Sequence, residues 1–145
     1  MSTSAGSSGL RSQRAPSVRS VDIHAHWYPR EWLKLFERDA VREGARLERS
    51  AAGYRIATER LSNLFDDTFV EIEPRVAAMD RTRVDVQALS LTSPMVYWAS
   101  AGLGEALSQC FNDAAAAAHA RCPTRFVGLA MLPMQEPQRA LKELE

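Results

Sequence analysis

RVAAMDRTRVDVQALSL, Arg75–Leu91, carries the helix-to-strand passage on which the fold reading rests. Glu73-Pro74 opens a helix, because proline's fixed φ and missing N–H suit a first turn. Val76 and Met79 give that helix an apolar face, and it ends at about Arg83. Val84–Leu91 then reads as a strand, with Val84, Val86 and Ala88 on one face and Leu89 and Leu91 on the other. Apolar residues on both faces mark a strand covered from both sides, as in parallel sheets.

The same alternation extends outward. Val18–His26 reads as a strand, and Pro29 precedes a helix carrying Trp32, Leu33, Leu35 and Phe36 through about Asp39. Arg46–Arg60 alternates weakly around Ala51-Ala52-Gly53, which predicts a hairpin of Leu47–Ser50 with Tyr54–Ala57. Leu61–Phe69 and Thr92–Ser100 read as loops. Leu103–Arg121 is the longest predicted helix, with Leu103, Leu107, Cys110, Phe111, Ala114 and Ala118 facing inward until Pro123 stops it. Phe126–Leu132 reads as a third buried strand, and Gln138–Glu145 begins another helix. Strands alternating with helices predict right-handed crossovers and a parallel sheet. Three such strands are too few to close a barrel, so the expectation is the N-terminal part of a larger α/β domain.

Composition narrows the function. The chain has 145 residues, 46% of them hydrophobic, enough for one domain with a real core. Eighteen basic and eighteen acidic residues cancel, so charge gives no reason to expect nucleic acid or an anionic membrane as partner. No apolar run approaches the roughly 20 residues that span a bilayer. Cys110 and Cys122, one helix apart by roughly 18 Å, are too distant for a disulfide, which fits a reducing, cytoplasmic setting. Residues 1–20 are rich in Ser, Gly and Arg and contain no acid, so they are expected to be a disordered tail, with a loose likeness to an organelle transit peptide. Residues 21–145 form the expected domain, with the hairpin inserted at about 45–60.

The chemistry concentrates at Asp22-Ile23-His24-Ala25-His26. Strand residues i and i+2 share a face, so His24 and His26 are expected to point together, close enough to share one cation. Two of the three histidines of the chain lie here, and imidazole is a common ligand for transition metals. In parallel α/β architectures functional residues gather at the carboxyl ends of strands, where this pair sits. A catalytic ion takes three or more protein ligands plus a water whose proton it makes labile, so the pair is half a site. Arg60, after the hairpin, is either a surface arginine or a bidentate carboxylate binder. Met95, Tyr97 and Trp98 follow the second strand and form either a packed loop or a substrate wall. His119, near the end of the long helix, reads as structural. There is no Gly-rich phosphate loop, nucleophile elbow or Cys-x-x-Cys.

Three strings add a resemblance. DIHAHWYP at Asp22–Pro29, RVAAMDRTRVDVQALSLTSPMVYWA at Arg75–Ala99 and FNDAAAAAHARCPTRFVGLAMLPMQEP at Phe111–Pro137 resemble the amidohydrolase-related metalloenzymes, in the branch containing aminocarboxymuconate-semialdehyde decarboxylase. The resemblance covers about Val21 to Glu145. It implies the N-terminal portion, about three strands, of a (β/α)8 TIM-type barrel of the metal-dependent hydrolase superfamily, roughly 250 or more residues when whole. It implies Zn²⁺ or another divalent metal, with His24 and His26 as the first two ligands. A third His, an Asp and an acid/base His would come from later strands. An arginine in the insert binds substrate carboxylate in this branch, and Arg60 is the nearest match. The chain departs at Arg83, where relatives often carry Gly. If Arg83 is left-handed it costs roughly 1 kcal/mol.

The resulting expectation is a metal-dependent carbon–carbon lyase, a non-oxidative decarboxylase of a small unsaturated or aromatic carboxylic acid, possessing a homodimeric full-length form as family members commonly do. The alternatives are a metal-dependent amidohydrolase or lactonase-type hydrolase, and a truncated, inert chain that survives as a binding partner. His24 and His26 serve the lyase and the hydrolase equally.

Overall fold

The computed structural model describes residues 19–145, so the expected tail lies, through residue 18, outside the described residues. In chain order the elements are β1 (Val21–His26), α1 (Arg30–Asp39), β2 (Arg46–Ser50), β3 (Gly53–Ala57), β4 (Ser62–Phe65), α2 (Ile72–Thr82), β5 (Val86–Ser90), α3 (Ala101–Arg121), β6 (Phe126–Gly128) and α4 (Pro137–Glu143). Short 3-10 turns occupy Ala40–Glu43 and Asp67–Phe69. No helix of the described residues is long and apolar enough to cross a membrane.

The described residues form two three-stranded sheets. One is parallel, in the order β1-β5-β6, with Val21 opposite Val86, His26 opposite Ser90 and Leu89 opposite Gly128. The other is antiparallel, in the order β2-β3-β4. Its tight turn requires Gly53, whose φ is 116°; a Cβ there would collide with the carbonyl oxygen of Phe65. Helices α1 and α3 pack together over a core of Trp32, Phe36, Leu89, Leu107, Phe111 and Phe126, all fully buried. The cysteines are both free.

Three expectations need correction. Leu61–Phe69 is not simply a loop, because Ser62–Phe65 pairs with β3, Phe65 opposite Tyr54. This strand has no β-branched residue, and its partner strand rather than local propensity holds it extended. The third parallel strand stops at Gly128 instead of Leu132. It is also not uniformly buried: Phe126 is enclosed, but Val127 and Leu129 are nearly half exposed. The inward stripe of α3 is rotated slightly, enclosing Gly104, Ser108 and Ala115 in place of Cys110 and Ala114.

Arg83 caps α2 in the left-handed region, at φ 60° and ψ 36°. A non-glycine side chain there crowds its own backbone. Arg83→Gly is therefore expected to raise stability by roughly 1 kcal/mol, read as a higher urea midpoint with an unchanged slope. A lower midpoint would show that the side chain contributes more than the backbone strain costs.

Candidate metal and substrate site

Asp22 shapes the end of β1. Its Oδ1 accepts the backbone N–H of His24 at 3.0 Å, taking that donor away from the ladder. The register shifts at this point: Asp22 pairs with Gln87, yet Ala25 pairs with Leu89, so β1 holds one extra residue. Simple alternation therefore misdescribes the strand. The two imidazoles nonetheless meet, with ring centroids 4.5 Å apart in an edge-on arrangement. His26 Nδ1 lies 3.0 Å from Ser90 Oγ on the neighbouring strand, which leaves Nε2 as the nitrogen available for a cation.

Arg75 and Gln87 complete the surroundings. From α2, Arg75 Nη2 donates to the His26 carbonyl at 2.6 Å and Nη1 to Gln87 Oε1 at 3.1 Å. Gln87 Nε2 in turn donates to Asp22 Oδ2 at 3.1 Å. Burial pushes the Arg75 guanidinium down to about 10, a shift that Asp22 opposes. His26 is held below the ordinary imidazole value by burial first, then by His24 and Arg75, with Asp22 again opposing.

A neutral imidazole is the form that binds metal. His26 is expected to titrate below 6.5 in the metal-free chain, followed by NMR of its ring protons. The unfolded chain then takes up this proton first. The contribution of His26 to stability is complete above about pH 6.5 and declines as pH falls below it. A midpoint above 6.5 would contradict this ordering of forces.

His24, His26, Asp22, Thr68, Phe69 and Arg75 line one cleft of about 230 Å³. Among the described residues no third His, Cys, Asp or Glu joins the pair in a set that could hold a metal ion. The two imidazoles fit a divalent cation as donors, since one nitrogen of His26 is fixed and the ring is biased towards its neutral form.

The other candidates gather elsewhere. Arg60, Met95, Tyr97 and Trp98 line a separate cleft of about 600 Å³ that shares no lining residue with the first. Arg60 sits on the turn between β3 and β4, where the Leu61 N–H donates to Thr58 Oγ1 at 3.2 Å. Met95 adopts φ 55°, and its carbonyl accepts from Trp98 Nε1 at 3.1 Å. Asn63 Nδ2 donates to the Ser93 carbonyl at 2.6 Å, and the Tyr28 hydroxyl donates to the same oxygen. Burial pushes the Tyr28 phenol up to about 12, so it stays a donor at neutral pH. This one carbonyl thus ties the Met95–Trp98 loop both to the antiparallel sheet and to the segment following β1. His119 Nδ1 lies 2.7 Å from the Phe126 carbonyl, joining α3 to β6.

Sequence reasoning passed over Arg75 and Gln87. Two signals were present. Arg75 lies four residues before the buried Met79, on the inward stripe of α2, and Gln87 is the one amide in an otherwise apolar strand core. A polar side chain on a buried face needs a partner, and these two provide for each other.

The 2-amino-3-carboxymuconate-6-semialdehyde decarboxylase of Caenorhabditis elegans is 31% identical over 127 residues, 86% of this chain and 32% of that protein. Over most of its length the chain is similar in sequence to 2-amino-3-carboxymuconate-6-semialdehyde decarboxylases. It spans about a third of the length of the curated relatives it matches. Among solved structures, the apo form of IDCase from Metarhizium anisopliae superposes with a TM-score of 0.73 at 18% identity, over 88% of this chain and 39% of that one. A dihydroxybenzoic acid decarboxylase from Polaromonas, solved with manganese and the inhibitor 2-nitroresorcinol, superposes with a TM-score of 0.59 at 25% identity, over 88% and 34%. No protein-family model matches the chain. The fold is α/β and is shared with part of each of these solved structures.

Proposed function

We propose that this chain supplies the first metal-ligating strand of a metal-dependent, non-oxidative decarboxylase acting on a small unsaturated or aromatic carboxylic acid. The observation that carries the reading is the contact of His24 and His26 at the carboxyl end of a parallel strand. The homologous decarboxylases favour carbon–carbon cleavage over hydrolysis. In this reading the parallel sheet is the opening of a (β/α)8 barrel, residues 21–145 are one unit of it with the antiparallel sheet as an insert, and further ligands come from later strands.

His24 and His26 would hold the cation, which is zinc or, as in the Polaromonas relative, manganese. When bound, a divalent cation supplies Lewis-acid polarisation of a substrate oxygen. Ser90 fixes the ring orientation of His26 through Nδ1. Arg60 would donate two charge-assisted hydrogen bonds to a substrate carboxylate in its own cleft, which Met95 and Tyr97 also wall. The test is release of carbon dioxide from a carboxymuconate semialdehyde and from a dihydroxybenzoate by the metal-loaded enzyme that carries these residues, compared with His24→Ala and His26→Ala. Hydrolysis of an amide or lactone without carbon dioxide release would favour the hydrolase reading.

A further inference from the structure

Arg75 is 7% exposed, and its Nε is buried without a hydrogen-bond partner. Placing a cation inside a protein costs several kcal/mol unless its surroundings compensate. An apolar side chain could fill the same space, so the guanidinium must do something that a hydrocarbon cannot. Its hydrogen bonds go to neutral acceptors, the His26 carbonyl and the Gln87 amide oxygen. Gln87 passes the connection to Asp22, and Asp22 holds the backbone N–H of His24.

The result is an unbroken path from the backbone of one histidine to the backbone of the other, in links of 2.6, 3.1, 3.1 and 3.0 Å. The path brackets the extra residue of β1, which lies between Asp22 and Ala25. A bulge is where a strand can slip, and a slip of one residue turns every side chain beyond it to the opposite face. Fixing both ends of the bulge therefore fixes which side chains face each other after it. We infer that Arg75, acting through Gln87 and Asp22, is a positioning residue that locks the bulge of β1 and so sets the spacing of His24 and His26. Its relevance to catalysis rests on the metal reading above; its effect on the two rings does not.

The test therefore has two arms. In the metal-free chain, NMR detects the contact between the His24 and His26 ring protons. Arg75→Met and Gln87→Glu are both expected to lose that contact, while Arg75→Lys keeps part of it by retaining a donor to the His26 carbonyl. Gln87→Glu is the safeguard against unfolding, since it leaves Arg75 an acceptor, now charged, and severs only the link to Asp22. In the second arm, zinc titrated into the same proteins is expected to bind about tenfold or more weakly in Arg75→Met and Gln87→Glu, the scale found for residues that orient ligands. Folded variants with cooperative melting that keep the ring contact overturn the positioning role. Zinc binding that is unaffected by His24→Ala defeats the metal reading instead, and the ring contact alone then decides the role of Arg75.

Discussion

Under the decarboxylase reading proposed above, alanine at His24 or at His26 is expected to lower metal-dependent decarboxylation by at least about a hundredfold, and His24→Ala to leave the thermal melt of the metal-free protein nearly unchanged. The magnitude follows from rank. Residues that only orient a ligand change metal affinity or activity by roughly 10- to 100-fold, and a ligand itself must exceed that. The unchanged melt follows from position. His24 is exposed, with its ring edge-on to that of His26, so its loss leaves no buried cavity. Metal analysis, carbon dioxide release and calorimetry on the same samples separate the two effects. Equal activity in wild type and both variants would remove the histidine pair from the mechanism, and a large drop in melting temperature would make it structural.

The second large effect lies in the core. Phe36 is fully buried, stacked on Trp32 with centroids 5.1 Å apart and edge-on to Trp98 at 5.4 Å. Phe36→Ala removes a ring from a close-packed site and is expected to cost roughly 3–5 kcal/mol. Domains hold only about 5–15 kcal/mol in total, so the variant should melt far lower or fail to fold at all. Trp98 gives a local reading of the same change. It lines the Arg60 cleft and leans on Phe36, so its fluorescence should shift in any variant that remains folded. Denaturation followed by fluorescence and by circular dichroism checks both; a loss below about 1 kcal/mol would mean that the neighbouring rings close the gap.

The parts of the fold that were legible in sequence had strong local signals. Arg75–Leu91 announced a helix followed by a strand through Pro74 and a run of apolar residues, and α2 and β5 lie within a few residues of those bounds. Strand β4 was not legible, because Ser62-Asn63-Leu64-Phe65 is extended by its partner strand and not by its own propensity. At the site, the approach of His24 and His26 was foreseeable from their spacing, but the reason for it was not. Regular alternation would have sufficed; the protein instead uses an Asp22-stabilised bulge, a matter of register that only the partner strand reveals. Arg75 and Gln87 were hidden for the same reason, since each makes sense only with the other across α2 and β5. The grouping of Arg60 with Met95 and Tyr97 joins segments over thirty positions apart, which no local pattern encodes.

The division into two sheets has an evolutionary corollary. The ladder bearing the imidazoles and the ladder bearing the Arg60 turn exchange no strand pairing; side chains join the antiparallel module to the rest, among them Asn63 at the Ser93 carbonyl, the Arg49–Glu37 ion pair and Phe65 packed against Tyr28. Changes of length or sequence in the antiparallel module can accumulate without disturbing the register of β1 against β5. The antiparallel module can thus vary while the strand register that pairs His24 with His26 stays fixed, provided that these side-chain joints are kept.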